Sequence, residues 1–272
     1  MCDTFTASST AIFRVSSDMA AGRVNVHCVI GGRYHDFDFA RLEILKLLHP
    51  HERLRVSVAG DYADTRALAT TNALVTYTCD LRPAEAQQDA LIDYVERGGR
   101  WLALHGTNSL IEFTADGHIT TPRALPRLMA VLGSQFIAHP PLMDFEVKVT
   151  EPEHPLVRGL APFTVNDELY LSELHGPNRV LLHTHYNGKA QRGFIEREWF
   201  SDEMRPVMYL HRHGQGEVLY FTLGHCRGRY DMQPLLEEYP TVERCSWQSQ
   251  VYYELLNRGI RWVTRLDAEP AG

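Results

Sequence analysis

The sequence predicts an α/β fold: a parallel β-sheet flanked by helices, with β-rich additions in the C-terminal half. Three observations carry this. Short apolar runs alternate with segments of helical period through the first hundred or so residues, the pattern of βαβ units. Glycine pairs, Gly31-Gly32 and Gly98-Gly99, close a strand and a helix. Beyond about residue 140 the helical period gives way to strand-length runs.

Each element follows in order. Residues 1–22 are rich in Ser, Thr and Ala, lack a period, and read as a tail or peripheral strand. Val24–Ile30 (VNVHCVI) is the first strand, ending in Gly31-Gly32. Phe39–Leu48 places Leu42, Leu45, Leu47 and Leu48 as an amphipathic helix would. Leu54–Val58 and Ala73–Tyr77 are the second and third strands. Pro83 opens a helix at the first helical position, which tolerates proline, and Gly98-Gly99 stops it. Trp101–Leu104 is a fourth strand. Phe145–Val149 and Arg179–Thr184 follow as strands, Pro206–Leu223 as a hairpin turning at Gly214–Gly216, and Ser249–Thr264 as a closing helix. The expected organisation is one domain over 23–266 with a tail at 267–272.

Composition excludes several classes. The 272 residues, 44% hydrophobic, can bury a substantial core. A net charge of −7 disfavours a nucleic-acid partner, whose phosphates call for Lys and Arg. The five cysteines lack CxxC spacing, so neither a disulfide framework nor a Cys-rich zinc site is expected, and a cytoplasmic location suits them. No signal peptide or membrane span is read: no stretch reaches roughly 18 apolar residues. The absence of GxGxxG leaves no nucleotide expected. Fourteen histidines hint at site chemistry.

Several of those histidines sit where sites form. GGRYHDFD (31–38) follows the first strand at the carboxyl edge, where open α/β sheets bind ligands. His35 there reads equally as a ligand and as a solvated residue beside a helix-capping Asp36 or Asp38. LALHGTNS (102–109) ends a strand at His105-Gly106, a turn that aims His105 at the sheet mouth as base, metal ligand or carbonyl polariser; the bland reading is a histidine that holds the turn. His139 precedes two prolines, which fix its direction or merely stiffen a loop. Asp167 and Glu168 in VNDELY can share acid–base work or ligate a metal, or be solvated; on an extended strand only one of them faces a given site. His225 in FTLGHCRGR ends another apolar strand, and Cys226 beside it is not read as a nucleophile.

Together the motifs GG-x-YHDF, ALVTY, QQDALIDYVERGGRWLALHG, LGSQFIAHP, HPLVRGL, DELY, GQGEVLYFTLGH and GIRWV occur in an order that resembles the ThuA-like (trehalose-utilisation) family. The resemblance spans roughly 23–264. It implies the flavodoxin-like sheet of class I glutamine amidotransferases. In those enzymes the turn after the fourth strand carries a cysteine nucleophile. His105 stands at the matching position here, so glutamine hydrolysis is not expected. The family is associated with disaccharide use, which implies a carbohydrate or its 3-keto derivative as substrate.

The resulting expectation is an enzyme with His105, Asp167 and Glu168 as catalytic groups. Tyr34, His35 and Asn108 would contact substrate. A zinc or manganese ion would be bound by His35, His105, His139 and His225. The alternatives are a non-catalytic sugar-binding or regulatory protein, a metal-dependent amide or ester hydrolase, and a structural subunit. A small carbohydrate is the expected partner; the sheet edge also leaves room for a homodimer.

Overall fold

The computed structural model describes residues 22–233 and 235–266. The tails expected at either end lie outside these residues, apart from Gly22. The strands are β1 (Val24–Gly32), β2 (Leu54–Ala59), β3 (Ala73–Cys79), β4 (Arg100–Leu104), β5 (Glu112–Phe113), β6 (Ile119–Thr120), β7 (Ser134–Ala138), β8 (Met143–Val149), β9 (Phe163–Asp167), β10 (Leu171–Leu174), β11 (Asn178–Lys189), β12 (Glu198–His213) and β13 (Gly216–Phe221). The helices are α1 (Phe37–Leu48), α2 (Thr65–Thr70), α3 (Glu85–Glu96), α4 (Pro126–Leu132) and α5 (Gln250–Thr264).

One nine-stranded sheet runs in the order β2-β1-β3-β4-β13-β12-β11-β8-β9. The pairs from β2 through β13 are parallel. Those from β13 to β9 are antiparallel. The expected parallel sheet is therefore the first half of a mixed one, and the β-rich second half extends it by hairpins. The physical reason is connection length: β12 turns into β13 through two residues, which permits only antiparallel pairing.

Strand alternation splits the core between two faces. Val26, Cys28, Leu102, Leu104, Leu219 and Phe221 point to one face, under α1 and α5. Leu74, Trp101, Ala103, Val218 and Tyr220 point to the other, under α2, α3 and α4. β3 is buried along its whole length, as a central parallel strand must be.

The sequence misplaces or misses some elements. Pro83 lies before α3 rather than at its first position; Ala84 is the cap residue, and its N–H donates to the Gln87 side chain at 2.8 Å. The short α2 and α4 and strands β7 and β9 were not foreseen. Yet α4 carries readable signals, Pro126 in its first turn and Gly133 in a left-handed conformation at its end.

Close backbone contact draws the carboxyl ends of β1 and β3 together. A Cβ on Gly32 would lie 1.9 Å from the Cys79 carbonyl oxygen, and Gly32 has φ +126°. Gly32→Ala should therefore lower unfolding free energy by about 3 kcal/mol in urea titration, combining backbone strain and overpacking. Gly60→Ala, where the added Cβ meets nothing within 4 Å, is the matched control and should stay near wild type.

A buried imidazole–carboxylate cluster at the sheet edge

Four segments meet beyond the carboxyl ends of the parallel strands. The β1–α1 loop brings His35, the turn after β4 brings His105, the segment after β13 brings His225, and the residue after β9 brings Glu168. One donor atom from each of these four lies within 4.8 Å of the other three, and all four residues are buried.

Local structure explains each placement. Asp36 accepts the Phe39 N–H at 3.0 Å and caps α1, which holds His35 at the mouth. Asp36 thus caps the helix as read, while His35 beside it is buried rather than solvated. His105 adopts φ +45°, the left-handed conformation of a sharp strand exit. Gly106 packs against β3, where a Cβ would meet the Thr78 carbonyl oxygen at 2.7 Å. The two acids divide as alternation requires. Glu168 faces the histidines. Asp167, fully buried, accepts N–H donors from Glu168 (2.7 Å), Gly224 (2.9 Å), His225 (3.1 Å) and Ser246 (3.3 Å).

Outer hydrogen bonds set the tautomers. His105 Nδ1 lies 2.8 Å from the Thr222 carbonyl oxygen, an acceptor only, so Nδ1 donates and the Nε2 lone pair faces inward. His225 Nε2 donates to Glu243 at 2.7 Å, which turns Nδ1 inward, 3.2 Å from Glu168 Oε2. His35 Nδ1 lies 3.3 Å from the Arg33 carbonyl oxygen, while its Nε2 faces His105 Nε2 at 2.9 Å. Two lone pairs at that separation repel unless a proton or cation lies between them. Tyr170 Oη adds a further contact to His105 Nε2 at 3.2 Å. Three imidazole nitrogens and a carboxylate, each imidazole anchored through its other nitrogen, form a donor set that fits zinc or a similar divalent ion.

Electrostatics follow from burial and pairing. Burial, with His105 and His225 nearby, pushes His35 well below the usual imidazole range. Burial raises the Glu168 carboxyl, but His139, His225 and the hydrogen bonds to it outweigh this and hold it well below the usual carboxylate range. Burial opposes charge on His225, yet Glu168 and Glu243 raise it to about 9. Burial lowers His139. The Cys226 thiol is pushed up to about 12 by burial, so it is not a thiolate.

A pocket opens beside the cluster. His35, His139, Glu168 and His225 line it, with aromatic walls from Tyr34, Phe113, Phe136, Phe194 and Tyr239. His105 does not line it; it sits behind, wholly buried, in contact with His35 and Tyr170. Three expected roles need correction. Asp167 is not a pocket acid: its oxygens are taken up by backbone donors. Asn108 does not reach the pocket: its amide donates to Ser134 at 2.7 Å. His139 lies outside the four-donor set, with Nδ1 donating to the Pro140 carbonyl and Nε2 3.6 Å from Glu168 Oε1. Sequence reading missed Glu243, Arg227 and Tyr170. Tyr170 follows Glu168 by two positions, a same-side spacing that could have flagged it. Nothing near Glu243 marks it.

The comparisons place the chain in a family and match its fold. The family model for ThuA, described as trehalose utilisation, matches residues 29–238, and the chain belongs to that family. Among solved structures it is similar to a ThuA-like protein from Parabacteroides merdae ATCC 43184, at 15% identity and TM-score 0.65, covering 89% of this chain and 90% of that one. A ThuA-like protein from Bacteroides uniformis ATCC 8492 gives 18% identity and TM-score 0.62, covering 89% and 91%. A β-galactosidase from Rahnella sp. R3 shares the fold over 32% of its own chain and 90% of this one, at 13% identity and TM-score 0.53. No curated protein sequence matches the chain. No helix among the described residues is long and apolar enough to cross a membrane.

Two outcomes are expected. Asp167→Ala leaves the Gly224, His225 and Ser246 N–H groups without their buried acceptor and should lower unfolding free energy by about 3 kcal/mol or more, read by urea titration. Because His225 holds its proton more tightly folded than unfolded, metal-free protein should lose stability as pH rises from the ordinary imidazole range through about 9. Urea midpoints in chelator at pH 6.5 and 9.5 test this, and His225→Gln should flatten the decline.

Proposed function

We propose that this chain is a metal-dependent enzyme that cleaves the 3-keto derivative of a disaccharide by proton abstraction and elimination. The observation that carries the reading is the His35–His105–His225–Glu168 donor set beside an aromatic-walled pocket that also holds a neutral His139. The family's description as trehalose utilisation supports a disaccharide-derived substrate. A zinc or manganese ion held by these four residues would supply Lewis acidity toward a carbonyl oxygen.

The remaining roles belong to the chain's own groups. A ketone at the 3-position acidifies the neighbouring C–H. His139 has Nδ1 committed to Pro140, so Nε2 is the nitrogen free to take that proton. The electron pair then forms a C=C bond, and the glycosidic C–O bond breaks with its electrons on the departing oxygen. Tyr34, Phe113, Phe194 and Tyr239 offer flat apolar faces to a sugar ring. Tyr34 Oη, buried without a partner, offers a hydroxyl contact. Glu243 holds His225 in register, and Arg227 Nη2 braces Glu243 at 2.7 Å. A cytoplasmic location fits the free thiols of Cys28, Cys79, Cys226 and Cys245.

The test combines metal analysis with turnover. Untagged wild-type protein should carry near-stoichiometric zinc or manganese by mass spectrometry, and His105→Ala should lose it. Wild type should cleave 3-keto-trehalose or 3-keto-sucrose; His139→Ala should keep its metal while kcat falls by about 10²- to 10⁴-fold. If neither keto-sugar is consumed with any added divalent ion, the elimination reading fails. Turnover of a simple chromogenic ester would then point to a hydrolase, and sugar binding without turnover to a regulatory role.

A further inference from the structure

At the opposite end of the sheet lies a second cavity, of about 1050 Å³, remote from the histidine cluster in chain and in fold. It sits where β4, β11 and β13 begin, where β12 ends, and where α5 ends. Six arginines line it: Arg100, Arg179, Arg212, Arg258, Arg261 and Arg265. Among the described residues that line it, Glu217 is the single carboxylate. This concentration of cations stands in a chain whose net charge is −7.

Among the described residues, carboxylates engage some of these arginines and not others. Glu151 engages Arg179 and Glu254 engages Arg258. Arg100 and Arg265 instead donate to backbone carbonyls, those of Trp262 at 2.7 Å and Gly98 at 2.9 Å. These bonds orient a guanidinium without cancelling its charge. Arg212 is 90% exposed, and its Nε is 3.9 Å from Glu217, a loose contact. Burial and these neighbours act together on two groups of the wall. Burial and the neighbouring Arg265 push Arg100 down from its ordinary value. Burial, then Arg179, push His154 on the cavity wall down as well.

A helix C-terminus accounts for part of this, since cations there complement the helix dipole. It covers Arg261 and Arg265 on α5. It does not cover Arg100, Arg179 and Arg212, which come from three different strands. Like charges gathered from four elements repel, and a bound anion would relieve that repulsion. Guanidinium forks suit phosphate oxygens, and the volume suits a ligand of nucleotide or sugar-phosphate size.

We propose that this cavity is a binding site for a small anion bearing two or more phosphate groups. It is separate from the histidine pocket and does not depend on that pocket's chemistry.

Inorganic triphosphate is the probe, titrated calorimetrically into the full chain at about 50 mM salt. Wild type should bind at one site, with affinity falling as salt rises. Arg212→Glu, at an exposed side chain that folding does not need, should weaken binding at least tenfold. Arg100→Gln should do the same, with far-UV circular dichroism confirming the fold. His105→Ala should bind as wild type does, which separates this site from the metal-binding cluster. Absence of binding, or equal affinity in wild type and Arg212→Glu, would overturn the proposal. So would binding of a single-stranded oligonucleotide but not triphosphate, which would make the surface a macromolecular one.

Discussion

The buried carboxylate of Asp167 is the interaction on which the candidate site depends. It receives four backbone N–H groups from three segments: its own successor, the Gly224-His225 exit of β13, and the turn at Ser246. A fully buried carboxylate is costly unless its oxygens are satisfied, and here they are. The arrangement fixes where β9 ends, so Glu168 faces the histidines. It also fixes the backbone of His225, whose ring completes the cluster. The acid that looked like half of a catalytic pair is thus the clamp that aims the other half.

The cluster itself is assembled against electrostatic preference. Donor atoms of three buried imidazoles and a buried carboxylate lie within 4.8 Å of one another. Each imidazole has one nitrogen tied outward, to the carbonyls of Arg33 and Thr222 or to Glu243. That leaves one inward nitrogen per ring and a single place where a positive charge relieves the repulsion. The pairing with Glu168 acts the same way: with Glu243 it raises His225, and His139 and His225 hold Glu168 low. Glu243 and Arg227 form an outer layer that keeps His225 from turning.

Much of the fold was legible in the sequence. The apolar runs at 24–30, 54–58, 73–77 and 101–104 and the helices at 39–48 and 249–264 appear close to where periodicity put them. Long elements with one buried face announce themselves. The six-residue α2 and the edge strands β7 and β9 do not, because a short element owes its state to its neighbours. For the site, His35, His105 and His225 were marked by their positions at strand ends. Asp167 and Asn108 were misjudged because a polar side chain's partner cannot be read locally: Asp167 is satisfied by loops 57 to 79 residues away, and the Asn108 amide N–H donates to Ser134. Glu243 gave no signal at all, since its partner His225 meets it only through the folded loop between them.

By itself the sequence determined the strand–helix alternation, the glycines that permit close strand ends, and the sharp strand exit that carries His105. These follow from local sterics and periodicity. Only the tertiary structure decided which of the fourteen histidines converge, which nitrogen of each faces inward, and which of two adjacent acids meets them. It also decided that arginines from three strands and a helix share one cavity at the far end of the sheet. Those outcomes are set by contacts between residues distant in the chain, and such contacts leave no periodic trace in the sequence.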